Sequence, residues 1–245
     1  MKVLIIGDSH TGALKRGLDK LTESADPSVG PSVGHDYLIR PLGPGANMAF
    51  PFWRADADSI EITNEDYHRQ MPCVPPPRMR QPDAIGLCMP MWWGRSVSNM
   101  GKARVALAGL PSGRAISYAV FRQMVLADMA HVLGLAETLQ ARGFETFAVE
   151  PPSAFRDNRL APWFGMDWLL GHIKAHRAIM TEAMAERGIP IIRRPDHVSD
   201  DEGFTLQQYR HPDPQDAHHA NADFGIVMLH QIEGYLSHAE QPATA

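Results

Sequence analysis

The chain has 245 residues, 44% of them hydrophobic and 21% charged, a composition that supports a sizeable soluble core. Its formal charge of −5 comes with no basic stripe, which argues against a nucleic-acid binder. No apolar run approaches the ~20 residues that a bilayer-spanning helix needs, so no membrane partner is expected. The N-terminus offers one lysine and four apolar residues before Gly7, too little for a signal peptide, and a cytoplasmic location is the expectation. Cys73 and Cys88 form no Cys-x-x-Cys pair and read as reduced thiols.

Val3-Leu4-Ile5-Ile6 reads as a short, fully buried strand closed by Gly7. A helix is predicted over 11–22, with Leu14, Leu18 and Leu21 on one face and Lys15, Arg16 and Lys20 on another. The stretch 25–34 is turn-rich. Residues 36–42 are a second strand, ended by Gly43-Pro44-Gly45, and 58–62 a short edge or hairpin strand. Pro72, Pro75, Pro76 and Pro77 exclude a helix or central strand from 71–81, because proline has no backbone donor. Another buried strand covers 83–89, followed by a long mixed connection. Residues 116–142 form the clearest helix, stopped by Gly143. A strand over 144–150 ends at Pro151-Pro152. A helix over 167–187, a strand over 189–193 and a last helix over 220–236 complete the chain.

Nothing repeats, and no linker separates independent units. The order of elements predicts one α/β domain over 1–245 with a mostly parallel sheet and long loops at about 43–57, 63–82 and 90–113. Ligands of such sheets bind beyond the carboxyl ends of the strands. Ser9, Gly45, Trp92, Pro151 and residues 213–219 all follow predicted strands, so they are expected to share one rim.

Ser9 lies in Gly7-Asp8-Ser9-His10, between the first strand and the first helix. That tetrapeptide alone reads equally well as a helix cap. A serine hydroxyl becomes a nucleophile when an imidazole takes its proton and a carboxylate orients that imidazole. Near the C-terminus, Asp216 stands three residues before His219, on a turn leading into the last helix. His218 is only two positions from Asp216.

Gly7-Asp8-Ser9 after the first strand, together with Asp216-Ala217-His218-His219-Ala220-Asn221, resembles the SGNH (GDSL-type) hydrolase superfamily. The resemblance implies a flavodoxin-like three-layer α/β/α sandwich, in agreement with the independent count of strands and helices. It implies that Ser9 is the nucleophile, His219 the general base and Asp216 its orienting partner, with neither metal nor cofactor. The family's second block supplies a glycine N–H for the oxyanion; Gly45 stands in that place, with Gly43 as its rival. The third block carries Gly-x-Asn, and here Met91 or Trp92 falls where the asparagine belongs. Loss of one oxyanion donor costs ~100- to 1000-fold in turnover. Asn47, Asn99 and the Trp92 indole are the candidate replacements, with aromatic packing as the other reading of Trp92-Trp93. His10 replaces the usual leucine.

Other chemistries fit less well. A two-metal phosphoesterase needs further ligand-bearing loops that the chain lacks. His172 and His176 stand at i and i+4 without an adjacent glutamate, and a solvated helix face is expected for them. Gly7 and Gly12 are not followed by the lysine of a phosphate-binding loop, and neither a dinucleotide fingerprint nor a Gly-x-Ser-x-Gly elbow occurs. The expectation is a serine esterase acting on a small, carbohydrate-borne ester. A non-catalytic binding scaffold and a glycan O-acyltransferase are the alternatives.

Overall fold

The computed structural model describes residues 1–23, 33–111 and 114–239. Most of the turn-rich stretch 25–34 lies outside them. The central sheet contains β1 (Lys2–Asp8), β2 (Asp36–Gly43), β5 (Ala84–Leu87), β8 (Glu145–Val149) and β9 (Ile191–Ile192), in the order β2-β1-β5-β8-β9. Every neighbouring pair is parallel. Between them lie α1 (Thr11–Glu23), α2 (Glu65–Gln70), α3 (Gly94–Ala103), α4 (Tyr118–Ala141), α5 (Ala161–Phe164) and α6 (Met166–Ala185); α7 (Ala222–Ala239) comes last.

The strands are short and apolar because both faces of the sheet are covered. Val3 and Ile5 point into a core shared with Leu14 and Leu21 of α1 and Phe224, Leu229 and Ile232 of α7. Leu4 and Ile6 point the other way, towards Val97 of α3, Phe121 and Val125 of α4 and Trp168 of α6. The result is the three-layer α/β/α sandwich that the resemblance implies, on the mostly parallel sheet that the order of elements predicts. Pro41 fits inside β2 because that strand is an edge of the sheet.

On one face, α1 and α7 touch backbone to backbone. A Cβ on Gly225 would lie 1.9 Å from the Ala13 carbonyl oxygen, and one on Gly17 would lie 2.7 Å from the Gly225 carbonyl carbon. Arg16 adds a hydrogen bond of 2.7 Å to the Ala220 carbonyl. The first and last helices are thereby locked together beside the start of the chain's first turn.

The connections predicted as loops carry short elements. Residues 43–57 hold a 3-10 turn (Gly45–Ala49) and β3 (Trp53–Ala55), which pairs antiparallel with β4 (Ile60–Ile62). Residues 63–82 hold α2 and a 3-10 turn at Pro77–Met79, and 90–113 hold α3 and β6 (Val105–Leu107), which pairs with β7 (Arg114–Ile116).

Two expectations are corrected. His172 and His176 are fully buried, not solvated: His172 Nε2 accepts the Leu107 N–H at 3.1 Å, and His176 Nδ1 lies 2.9 Å from Ser96 Oγ. In addition, α4 is long and apolar enough to cross a bilayer by composition. Phe121, Val125, Met129, Val132 and Leu139 on it are buried in the core beside the sheet, the packing of a central helix.

Candidate active site

β1 and β5 flank the point where strand order reverses, and the residues beyond their carboxyl ends face one another. The chain leaves β1 at Asp8. Asp8 Oδ1 accepts the His10 N–H at 2.9 Å, and the carbonyls of Ser9 and His10 accept the N–H groups of Gly12 and Ala13 at 3.1 Å each. The turn into α1 is therefore capped by Asp8 and by backbone, which leaves the Ser9 hydroxyl for another partner. That partner is His219, whose Nε2 lies 2.8 Å from Ser9 Oγ.

His219 is held from its other side. Its Nδ1 lies 2.7 Å from Asp216 Oδ2, while Asp216 Oδ1 accepts the backbone N–H groups of His219 at 3.0 Å and His218 at 3.2 Å. Burial alone would raise the Asp216 pKa. The His219 and His218 N–H bonds and the His219 ring outweigh it, and hold this carboxyl well below the usual range. Asn221 caps α7 by accepting the Phe224 N–H at 3.1 Å, and its amide donates to the Gln208 carbonyl at 2.7 Å. The segment bearing Asp216 and His219 is thus pinned at the head of α7, against α1. His218 is more exposed, with Nδ1 3.4 Å from Asp216 Oδ1.

Gly45 is buried, and a Cβ there would lie 2.9 Å from Trp92 Cε3 and 3.0 Å from Asp8 Oδ2. Only glycine fits between the indole and the carboxyl. Gly43 packs instead under the Tyr67 ring. The benzo edge of Trp92 borders Gly45, whereas its Nε1 lies on the side of Gly94, so the indole N–H is aimed away from Gly45. Asn47 closes the 3-10 turn through its backbone, with its N–H on the Pro44 carbonyl at 3.2 Å and its carbonyl accepting from Phe50 at 3.2 Å. Asn99 donates towards Asp128 at 3.5 Å. Neither asparagine is brought to the Ser9–His219 pair by a hydrogen bond. Trp93 is buried, its indole N–H on the Pro152 carbonyl at 3.3 Å. Arg156 turns outward to Asp200 and Glu202.

Two neighbours of Ser9 have surroundings that the sequence does not reveal. Asp8 is almost fully buried, its Oδ2 has no hydrogen-bond partner among the described residues, and burial pushes its pKa up to about 8. The His10 ring lies 5.0 Å from that of His219 and 6.4 Å from Trp92. Burial, then the charges of His219 and His218, push its pKa well down, so it stays neutral. Beside this group opens a cleft of about 460 Å³, lined by Trp92, residues of α3, Asn158, Arg159 and His218. Residues 158–160 follow a predicted strand, and the shared-rim rule was the signal that could have found them.

Neither a family model nor a curated protein sequence matches the chain. Solved structures do match it in shape. One is a candidate acylhydrolase from Bacteroides fragilis, with a TM-score of 0.52 at 11% identity, covering 98% of this chain and 88% of that one. A GDSL-like lipase from Bacteroides thetaiotaomicron matches with a TM-score of 0.50 at 11% identity, over 97% of this chain and 88% of the lipase. An acetyl xylan esterase gives 0.50 at 14% identity, over 96% of this chain and all of the esterase.

The chain carries the SGNH-hydrolase fold. Ser9, Asp216 and His219, which the sequence resemblance matches to the family's first and last blocks, meet beyond the carboxyl end of β1. Gly45, the candidate for the second-block glycine, lies against Trp92 and Asp8. Where the resemblance leads one to expect a third-block asparagine, the side chains after β5 pack instead: Met89 and Met91 are buried, and Trp92 walls the cleft.

Proposed function

We propose that this protein is a serine acyl hydrolase acting on small esters, with Ser9, His219 and Asp216 as its triad. The observation that carries this reading is the continuous relay from Ser9 Oγ through His219 to Asp216, at 2.8 Å and 2.7 Å. Ser9 Oγ attacks the ester carbonyl as His219 Nε2 takes its proton, and Asp216 stabilises the imidazolium. The oxyanion is held by the backbone N–H groups of Ser9 and Gly45. Collapse of the intermediate breaks the ester C–O bond, and the departing alkoxide takes the proton from His219. Water, deprotonated by the same imidazole, then attacks the acyl-Ser9 carbonyl and releases the carboxylic acid and the free hydroxyl. A short acyl group such as acetyl on a carbohydrate hydroxyl suits the crowding of Gly45 between Asp8 and Trp92.

The test is labelling with a fluorophosphonate probe together with hydrolysis of p-nitrophenyl acetate, in the native protein and in Ser9→Ala. Labelling and turnover that both disappear in Ser9→Ala are expected. Turnover that survives in the variant overturns the assignment. A native protein that takes no label supports a binding scaffold instead, the reading favoured by the missing third-block asparagine.

A further inference from the structure

The cleft beside the triad has a one-sided charge. Arg95, Lys102 and Arg159 line it, and among the described residues no aspartate or glutamate does, in a chain whose formal charge is −5. Arg95 is committed elsewhere: it meets Asp128 at 3.2 Å and donates to the Ala46 carbonyl at 2.8 Å. Lys102 and Arg159 are different. Neither has a carboxylate within ion-pairing distance among the described residues, and Arg159 is anchored only by a 2.8 Å bond to the Gln215 carbonyl. Both line the cleft from different parts of the chain, Lys102 at the end of α3 and Arg159 on the segment after β8. Asn158 is a further lining residue; it is buried and its Oδ1 accepts the Leu160 N–H at 3.0 Å, which leaves its amide NH₂ outside that bond. Three donor-bearing side chains thus line one space, with the Trp92 ring as an apolar part of the wall.

The position of the cleft says which part of the ester fills it. The departing alcohol must sit beside His219 to receive its proton. Ala217 and His218, the two residues before His219, are in the cleft wall, as is His10, whose ring is 5.0 Å from His219. The cleft therefore lies on the leaving-group side. We propose that it is an anion subsite, and that the substrate is an acyl ester whose alcohol bears a carboxylate or phosphate held between Lys102 and Arg159. This rests on Ser9 and His219 acting as proposed above. Guanidinium and ammonium groups lining one cleft suit such an anion, and their attraction weakens as salt rises.

The test compares three acetyl esters of similar shape: phenyl acetate, para-acetoxybenzoate and para-acetoxyphenyl phosphate. At low salt, kcat/KM for at least one anionic ester is expected to exceed that for phenyl acetate by about tenfold, as for a partly screened ion contact. The ratio should fall towards one in Lys102→Gln/Arg159→Gln and on raising the salt. Both side chains are exposed, and a thermal melt checks that the double variant is folded. Preference for the carboxylate over the phosphate, or the reverse, identifies the anion. A ratio near one in the native protein, or one that the double variant keeps, overturns the subsite. Should no ester turn over and no fluorophosphonate label appear, the triad reading fails, and tryptophan fluorescence decides the subsite separately. Quenching by para-hydroxybenzoate or para-hydroxyphenyl phosphate but not by phenol, lost in the double variant, supports it. Equal response to all three overturns it.

Discussion

Asp216 grips His219 at both ends of one residue, taking the backbone N–H on Oδ1 at 3.0 Å and the ring on Oδ2 at 2.7 Å. The same carboxylate thus fixes where the imidazole is rooted and which way it turns. Asp216→Asn keeps the size of the group but offers only one acceptor oxygen to these two donors. We expect kcat to fall by about 10⁴-fold, as when a triad aspartate is lost, with KM little changed. A steady-state assay with p-nitrophenyl acetate checks it; a loss below tenfold would remove Asp216 from the relay.

His218 and His219 are adjacent imidazoles beside one carboxylate, but only His219 reaches Ser9. His219→Ala should abolish fluorophosphonate labelling. His218→Ala should change the labelling rate by less than about tenfold, since it removes a cleft wall and no proton acceptor. Reversed outcomes would exchange their roles.

Asp8 ties stability to pH. Its carboxyl has an ordinary value of 3.8 when solvated and about 8 when folded, raised by burial against the smaller opposing effect of the His10 N–H. The folded state therefore holds a proton that the unfolded chain releases, and this group's contribution to stability declines as pH rises from about 4 to about 8. Asp8→Asn keeps an acceptor for the His10 N–H and removes the titration. Its Tm relative to the native protein should rise across that window, by the equivalent of a few kcal/mol in total. A Tm difference that is flat with pH would contradict the protonated carboxyl.

A methyl group at Gly225 should be severe. Its Cβ would sit 1.9 Å from the Ala13 oxygen, which backbone cannot yield without parting α1 from α7. Gly225→Ala is expected to cost about 3 kcal/mol or more in chemical denaturation and to lower labelling of Ser9 as well, because these helices position the two halves of the relay. Full labelling at reduced stability would show that the site tolerates a wider crossing.

Asp216, His218 and His219 present their ligand atoms within 4.8 Å of one another, close enough to invite a cation. In the proposed reaction both Asp216 oxygens are occupied by N–H groups and His219 Nε2 by the serine. Dialysis against EDTA should leave ester turnover unchanged, and a loss restored by a divalent ion would replace the relay with metal chemistry.

The sheet was legible because buried parallel strands write themselves as short apolar runs closed by glycine or proline, as at Val3–Gly7 and Phe147–Pro151. That Ser9, Asp216 and His219 meet was expected from the resemblance that Gly7-Asp8-Ser9 and the Asp216–His219 segment carry together, since either motif alone reads as readily as a helix cap. The burial of His172 and His176 was not, since an i, i+4 pair reads alike on either side of a helix, and only packing against β6 and α3 decides. Lys102 and Arg159 also escaped notice. They are 57 positions apart, and nothing in either stretch announces that their side chains end over one cleft.

The crossing of α1 and α7 sets a timetable. Ser9 is synthesised 210 residues before His219 and the helix that seats it. A chain grown past Ser9 but not yet to His219 therefore lacks the imidazole of the proposed relay, which is completed only when the segment bearing Asp216 and His219 docks. Two fragments divided ahead of Asp216 would each be inert, and esterase activity on mixing them would report their reunion.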